Sequence, residues 1–492
     1  MIKAHSRLVS CLLLAVLLAQ VARLHATAQG VAELETLKSA VSNMERTIFD
    51  LKEKIRQIEQ RQSPATEVVP AAAQESTPSA VPARDKATAP VTRQPADDLA
   101  DRTSPMRHRE TIAGDNLAAP RPGNAPIDPS YAGFMPLFGT KTWVRLGGYA
   151  KVDAIMDSTK IGNPNKFVTG SIPVTGEPTF NSDEEFNLIA KQTRLSVELR
   201  SPAQLGALRV YYENDFAGGG SATDMEYNLR HLYGQMANLT VGQTWTAFFD
   251  PDALPDTLDF AGPGMQSVVR QPQVRYTFTL PRDGMHAALS IEQPKSDVVA
   301  LPAGTTTRNK MPDFAANWRL EGKPGHVQVS GLLRSLAYDN PVGPDDSELG
   351  GGVDVSGVLH TWGQDGIVAR FTYGDGIGRY MQDLGTANGA VADAAGNVQT
   401  LDAWGGMLGY RHFWSDHWRS EVTYSYLELD NRAEQGGSAY DHTHYAQANL
   451  IWAATANFYV GIEYLYGYKE DRNGNDGDDH RLQLSLQYKL IR

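Results

Sequence analysis

The chain has 492 residues, a formal net charge of −12 and a single cysteine. Its length exceeds that of one ordinary globular core, so several regions are expected. One cysteine excludes a disulfide framework and a cysteine-based metal site. Beyond the N-terminus the chain has no run of about 20 apolar residues, which excludes a helical membrane span.

The first 28 residues are typical of a secretory signal peptide. Lys3 and Arg7 precede an apolar run at 8–19, and a small-x-small cleavage site follows at 26–28. Cys11 lies inside the apolar run, which argues against a lipoprotein site. The sequence therefore predicts an exported chain that carries no thiol after processing.

Residues 31–61 carry a heptad pattern that predicts a parallel coiled coil. Glu33 with Lys38, and Lys54 with Glu59, have the g-to-e spacing that favours parallel chains. The last heptad has isoleucine at both core positions, which favours a trimer over a dimer. The alternative, one amphipathic helix packed on a globular domain, would need a wider apolar stripe. The predicted trimer core consists of Leu34, Leu37, Val41, Met44, Ile48, Leu51, Ile55 and Ile58.

Residues 62–130 are rich in Pro, Ala, Thr and Ser and show no sustained period. Such a segment buries too little apolar surface to offset its ordering entropy. We therefore predict a disordered linker between the coiled coil and a C-terminal domain at 131–492.

The C-terminal domain alternates apolar and polar residues along short segments. Residues 481–490 are one example, with leucine or tyrosine at the even positions and polar residues at the odd ones. A strand has a period of two, so all apolar side chains lie on one face. Together with turns that alternate between short and long, this pattern favours a barrel in a bacterial outer membrane over a soluble sandwich.

The gaps between the segments predict the topology of the barrel. Short turns are predicted near 201–206, 237–238, 281–284, 321–325, 363–366, 414–417 and 454–457. Longer connections are predicted near 158–186, 217–224, 248–266, 294–311, 338–349, 375–400, 429–441 and 469–479. The expected fold is thus an all-β antiparallel barrel of about sixteen strands, with fourteen or eighteen as alternatives. A barrel of this size encloses an aqueous channel.

Strand phase places many charged side chains inside this channel. The charge of the lining groups matters more for selectivity than the net charge, because a narrow channel focuses their field. Further acids fall in the predicted loops at 183–185, 345–348 and 476–479. The predicted pore-lining cations are Arg145, Lys151, Arg194, Arg200, Arg209, Arg230, Arg270, Arg275, Arg319, Arg334, Arg370, Arg419 and Arg481. The predicted inward acids are Asp153, Glu198, Glu213, Asp215, Glu292, Asp313, Glu421 and Glu463.

The third long connection is where a porin's constriction loop is expected to fold inward. Its aspartates would face three arginines across the narrowing, and this arrangement sets up a transverse field. Two interpretations stay open: the arginines contact anionic solutes, or they pair with the loop carboxylates and hold the loop. The aspartates are Asp250, Asp252, Asp256 and Asp259, and the arginines are Arg230, Arg270 and Arg275.

Other patterns point to no catalytic or metal chemistry. The histidines at 412, 417, 442 and 444 lack a nearby Cys, Asp or Glu arrangement that completes a metal site. A calcium loop starting at Asp471 would need Gly at its sixth position and an acid at its twelfth, and the chain has Asp476 and Leu482 there. No nucleophile elbow is present. We predict no enzyme activity, no cofactor, no metal and no nucleic-acid partner.

Five runs carry a family resemblance. They are YYENDFAG (211–218), NLRHLYGQ (228–235), VGQTWTAFFDPDALPDTLDFAGPG (241–264), RQPQVRYT (270–277) and GDGIGRYM (374–381). They resemble the DcaP-like outer-membrane porins, over most of the barrel from about residue 147. The resemblance implies a homotrimer of sixteen-stranded channels with an N-terminal periplasmic coiled coil, passing small anions such as dicarboxylates. One departure is the C-terminus, which is Arg492 where such barrels commonly carry an aromatic residue for assembly.

The expected function is passive diffusion of small hydrophilic solutes through a water-filled channel that favours anions. The expected partners are outer-membrane lipid, two further copies of the chain and small anionic solutes, with peptidoglycan or another periplasmic partner for the coiled coil. One alternative is a general or weakly cation-selective pore. Another is an envelope-tethering or adhesive barrel protein that acts through its coiled coil.

Overall fold

The computed structural model describes residues 111–112, 114, 118–121, 133–219, 224–341, 343, 345–385 and 388–490. The predicted signal peptide, coiled coil and most of the predicted linker lie outside these residues. No helix among the described residues is long and apolar enough to cross a membrane.

In the described part of the chain, sixteen antiparallel strands close into one barrel. Closure occurs between the first and last strands, where Tyr149 lies opposite Lys489 and Asp157 lies opposite Arg481. This confirms the predicted strand number and topology. The strands are β1 (Trp143–Asp157), β2 (Glu185–Ile189 and Arg194–Ala203), β3 (Gly206–Asp215), β4 (Asn228–Met236), β5 (Leu239–Trp245), β6 (Arg270–Thr279), β7 (Met285–Glu292), β8 (Asp313–Gly322), β9 (Gly325–Asp339), β10 (Asp346–His360), β11 (Gly366–Asp375), β12 (Asp402–Ser415), β13 (Trp418–Leu429), β14 (Tyr440–Ala453), β15 (Phe458–Asp471) and β16 (Asp476–Lys489).

The two segments of β2 pair with different halves of β1. Gly148 lies on β1 near the switch between them, with a φ of 120°. A Cβ at this position would lie 2.1 Å from the carbonyl oxygen of Arg194, so the close approach of the two strands requires glycine.

Shorter elements lie outside the main strands. Met135–Pro136 pairs with β1, and Thr306–Arg308 pairs with β9. Three short strands from two long loops form a separate sheet: Val298–Val299, Ala390–Ala392 and Val398–Thr400. Single 3-10 turns occur at Thr169–Ser171, Gly378–Tyr380 and Gln382–Leu384.

The seven predicted short turns all lie at strand junctions of the barrel, but several loops are shorter than predicted. The last one is residues 472–475, because the pairing of β15 with β16 continues to Glu470 opposite Asp476. Acids assigned from the sequence to loops at 345–348 and 476–479 therefore lie largely on β10 and β16. Backbone pairing between strands continues where the alternation of apolar and polar residues has already ended. The ends of these strands therefore cannot be predicted from the alternation.

The alternation separates a lipid face from a channel face. Leu482, Leu484 and Leu486 on the outer face of β16 each remain 41–42% exposed, whereas most charged side chains of the inward phase are buried. Apolar packing occurs inside the lumen, where loop residues such as Phe248 and Met381 form one buried cluster with wall residues. The core therefore lies between inward loops and barrel wall, and it positions the constriction.

Candidate functional site: the constriction loop and its cavity

Loop L3, residues 246–269 between β5 and β6, is held to the barrel wall by buried ion pairs. The Asp250 carboxylate lies 2.9 Å from Arg319 of β8 and 2.8 Å from Nε2 of His326 of β9. Asp252 binds the same arginine at 2.6 Å. One guanidinium thus fixes two carboxylates of the first half of L3.

The second half of L3 is anchored on the far side of the barrel. Asp256 pairs with Arg419 of β13, and Asp259 lies 3.5 Å from Arg481 of β16. Glu463 of β15 accepts a hydrogen bond from the backbone N–H of Asp259 at 2.9 Å. L3 therefore spans the lumen between strands β8 and β9 and strands β13 to β16.

Neighbouring arginines hold the pKa values of Asp250, Asp252 and Asp256 below the ordinary value of an aspartate. Burial alone would raise the pKa of Asp252, but the charges of Arg121 and Arg319 outweigh it and hold this pKa below its ordinary value. Burial is likewise outweighed at Asp250, where Arg319 and His326 lower the pKa of the carboxyl. These charges are matched by wall cations, so the loop adds little net charge to the lumen.

Loop L6, residues 376–401, fastens L3 from a second direction. The Asp383 N–H donates to the carbonyl oxygen of Gly264 at 3.0 Å. Its carboxyl group accepts hydrogen bonds from the hydroxyls of Thr443, at 3.1 Å, and of Thr169 in the first long loop. Burial raises the pKa of Asp383 to about 6. Three loops and one strand thus meet at a carboxyl group that titrates near physiological pH.

A piece of the N-terminal segment crosses the lumen beside L3. We call the described residues of 111–121 the strap. Arg121 binds Asp252 through two N–H groups at 2.5 and 2.6 Å, and the Ile112 N–H donates to Asp256 at 2.6 Å. The strap lies at the short-turn end of the barrel, because Gln235, which donates to the Arg121 carbonyl, is two residues from the 237–238 turn. Wall residues that donate to strap carbonyls are Tyr233, Gln235 and Gln487.

L3 also borders a cavity of about 210 Å³ with a basic lining. Its cations come from the first long loop and from β2, β4 and β6. The ammonium group of Lys166 lies 5.0 Å from the ring of Phe260, and the guanidinium of Arg270 lies 4.5 Å from the ring of Trp245. The cavity thus combines cations with aromatic faces. The four cations are Lys166, Arg194, Arg230 and Arg270.

Carboxylates balance part of the positive charge of this cavity, because Asp259 belongs to its lining and Arg194 lies 3.6 Å from Glu213. Arg230 is bound by Glu213 at 2.8 Å and by Asp215 at 2.7 Å. Burial, together with the charge of Arg270, lowers the pKa of Lys166. A lysine whose ammonium form is disfavoured by a neighbouring cation is one whose charge an incoming anion would stabilise.

Other predicted pore-lining arginines lie in wall networks. Arg200 and Arg209 each bind Glu198 at 2.7 Å, and Arg145 binds the same carboxylate. They form a cluster at the short-turn end of β1, β2 and β3. Their contacts cross-link neighbouring strands.

Other predicted pore-lining cations hold the loops that fold into the lumen. Arg334 pairs with the loop residue Asp297 at 2.7 Å, and Arg370 donates to the backbone carbonyl of Asp250 at 2.7 Å. Lys151 donates to the backbone carbonyl of Leu258 in L3 at 2.6 Å. These cations hold loop backbone in place.

The arginines expected opposite L3 divide into two groups. Arg230 and Arg270 line the cavity, whereas Arg275 donates to the side chain of Gln273 at 2.9 Å. The L3 carboxylates pair instead with other arginines, including Arg319, Arg419, Arg481 and, in the strap, Arg121. Holding of the loop is thus seen for other arginines, and contact of Arg230 and Arg270 with anionic solutes stays a prediction.

Three cations of the L3 site were not predicted from the sequence. Arg411 lies 2.7 Å from Glu421 and 3.9 Å from Asp256, and the inward phase of β12 was a signal that could have found it. Lys166 and Arg121 lie outside the main strands and carry no periodic signal.

Comparison with known proteins agrees with this architecture. The sequence profile described as "DcaP outer membrane protein" matches residues 132–490. No curated protein matches the chain. Among solved structures, the outer membrane channel DcaP of Acinetobacter baumannii has a TM-score of 0.65 at 23% identity, covering 73% of this chain and 100% of that one. An anion-selective porin from Comamonas acidovorans has a TM-score of 0.47 at 9% identity, covering 71% of this chain and 100% of that one. Because the profile matches the whole barrel, this chain belongs to the DcaP family of outer-membrane porins.

Proposed function

We propose that this porin passes small anionic, dicarboxylate-like solutes by passive diffusion, and that the basic cavity beside L3 sets the preference. The observation that carries the proposal is the convergence of Lys166, Arg194, Arg230 and Arg270 on one cavity. Charge in a narrow, low-dielectric passage governs which ions enter.

The chemistry of the lining suits a carboxylate with a hydrocarbon body. Guanidinium groups bind a carboxylate at two points, and an ammonium group adds a compact charge. Trp245 and Phe260 offer apolar faces beside these cations. A neutral sugar would gain none of the charge contacts, so it would diffuse through without binding.

The proposal includes a homotrimer with its N-terminal segment in the periplasm. Support comes from the heptads at 31–61 and from the start of β1 at the short-turn end, which faces the periplasm in bacterial barrels. The coiled coil would then be placed to reach a periplasmic partner such as peptidoglycan.

A second candidate function is envelope tethering, and the strap favours it. Segment 111–121 contacts both L3 and the wall, so tension on the N-terminal segment would reach the constriction. Deleting residues 30–110 would then weaken envelope attachment and leave the conductance of the barrel unchanged.

Single-channel recording with added solutes tests the transport proposal. Succinate or phthalate should block the current of the wild-type channel transiently, and a neutral sugar of similar size should not. Arg270→Ala should shorten the block, whereas Arg282→Ala, on an exposed turn, should leave it unchanged. Equal behaviour of dicarboxylate and sugar would favour a general pore.

A further inference from the structure

Three titratable side chains form one row on the outer face of the barrel, near the loop ends of β13, β14 and β15. The backbone register places Glu428 and Glu470 opposite His442, one on each side. Side chains opposite each other in a sheet have Cβ atoms about 4.5–5.5 Å apart, so one imidazole lies between two carboxylates. The row is outside the channel, because the neighbouring residue Thr443 is buried on the lumen side.

Two tyrosines in the next row toward the membrane hold the two glutamates in place. Tyr426 donates its hydroxyl to Glu428 at 2.6 Å, and Tyr468 donates to Glu470 at 2.8 Å. The two tyrosine rings lie 5.7 and 5.8 Å from the ring of His442. Aromatic residues at this height are typical of the membrane interface of a barrel. The carboxylates thus stand at the rim, above the apolar band.

The two ring nitrogens of His442 face different carboxylates. Nδ1 lies 2.9 Å from Asp441, and Nε2 lies 3.9 Å from Glu470. The second distance is too long for a hydrogen bond. Two ligands of one zinc ion, each about 2.0–2.2 Å from it, lie at most ~4.2 Å apart, so a metal fits this gap. An aspartate on the other nitrogen is the usual device that orients a metal-binding histidine.

We propose that His442 and Glu470 bind a divalent metal ion on the outer rim of the barrel, and that Asp441 orients the imidazole of His442. One nitrogen or oxygen atom from each of these three side chains lies within 4.8 Å of the other two. An imidazole with carboxylates suits Zn²⁺, whereas Ca²⁺ and Mg²⁺ prefer oxygen ligands alone. Glu428 adds a further negative charge beside the site. The ion links β14 to β15, and it neutralises carboxylates that would otherwise face anionic lipid headgroups.

This site was not predicted from the sequence. His442 and His444 are two apart along one strand, and the acid that completes the arrangement lies on β15, which is 28 residues further on. Only the register between β14 and β15 brings Glu470 next to His442.

Calorimetric titration of the tag-free, full-length protein in detergent with Zn²⁺ tests the proposal. The wild-type chain should bind one more Zn²⁺ than His442→Ala. Asp441→Asn should weaken that site by about 10–100-fold, the range expected for a residue that orients a ligand. His480→Ala is the matched control, because this outward histidine lies on β16 and bonds to Tyr464 at 2.6 Å; it should keep the site.

Glu470→Gln is the second variant, and unchanged conductance in bilayers would show that each variant is folded. Loss of the site in both His442→Ala and Glu470→Gln supports the proposal. Equal Zn²⁺ binding by wild type and His442→Ala would overturn it. The absence of Zn²⁺ binding by wild type would also overturn it, because His442 would then only hydrogen-bond to Asp441.

Discussion

The cations of the lumen fall into two groups that differ in what they face. Arg319 and Arg419 bind buried L3 carboxylates, whereas Arg270 and Lys166 lie over aromatic rings beside a cavity. The first group has its charge matched by the protein itself. The second group lines the cavity beside L3, together with Asp259. Lining a channel with arginine therefore does not by itself make it anion-selective.

This difference explains why net charge and lining charge disagree in this protein. The chain carries a formal net charge of −12, yet the L3 acids are matched by arginines. The cavity cations are the groups that we propose to act on a solute. Variants that alter one group and not the other separate their roles.

The largest effect is expected from Arg319→Ala, which removes an anchor. Asp250 and Asp252 would both lose a buried ion-pair partner, and breaking such a pair costs about 3–5 kcal/mol. We expect a clearly lower thermal midpoint in detergent and noisier single-channel current, because L3 loses its attachment to β8.

Arg308→Ala is the matched control for the anchor variant. Arg308 pairs with Asp339 at 2.7 Å, and the two side chains are 36% and 48% exposed. An exposed pair contributes only about 0–1 kcal/mol. If both variants unfold at the same temperature, the Arg319 pairs do not anchor L3.

An intermediate effect is expected from Asp383→Asn at the junction of L6 with L3. The folded-state pKa of Asp383 is raised to about 6, so the native state holds its proton more tightly than the unfolded chain. Stability from this group is fully present below the unfolded value of 3.8 and is lost as pH rises through 6. The thermal midpoint of wild type should fall between pH 5 and pH 7.5 by more than that of Asp383→Asn. Asp283→Asn, on an exposed turn, should behave as wild type, and parallel pH profiles for all three proteins would contradict this role.

The smallest effect is expected from Arg121→Ala in the strap. The Arg121 side chain is 34% exposed, so its pair with Asp252 contributes only about 0–1 kcal/mol. The strap keeps its other bonds, and we expect a modest rise in conductance with little change in ion preference. A strong shift in ion preference would place Arg121 among the selectivity groups.

Much of the barrel could be predicted from local pattern. The period of two separated the lipid face from the channel face, and turn chemistry such as that at 281–284 located the short connections. The loop at 472–475 was predicted too long because Asp476 and Asp478 continue β16 with polar residues. Where paired strands extend beyond the membrane, their outer faces need not be apolar, so the sequence does not show that the strands continue.

The site was predictable only as a set of residue types. Strand phase placed Arg319 in the lumen, but its pairing with Asp252 joins residues 67 apart in the chain. Lys166 reaches the cavity from a loop, where no period exists. Which arginine anchors and which faces solute is decided by how the loops fold, and strand periodicity carries no information on that.

The central claim, that the cavity cations set the ion preference, is tested by the reversal potential across a bilayer with a KCl gradient. Wild type and Arg282→Ala should show the same anion preference. The double variant Lys166→Ala with Arg270→Ala should shift the potential toward cation preference while its thermal midpoint stays close to that of wild type. An unchanged reversal potential in a folded double variant would contradict the account.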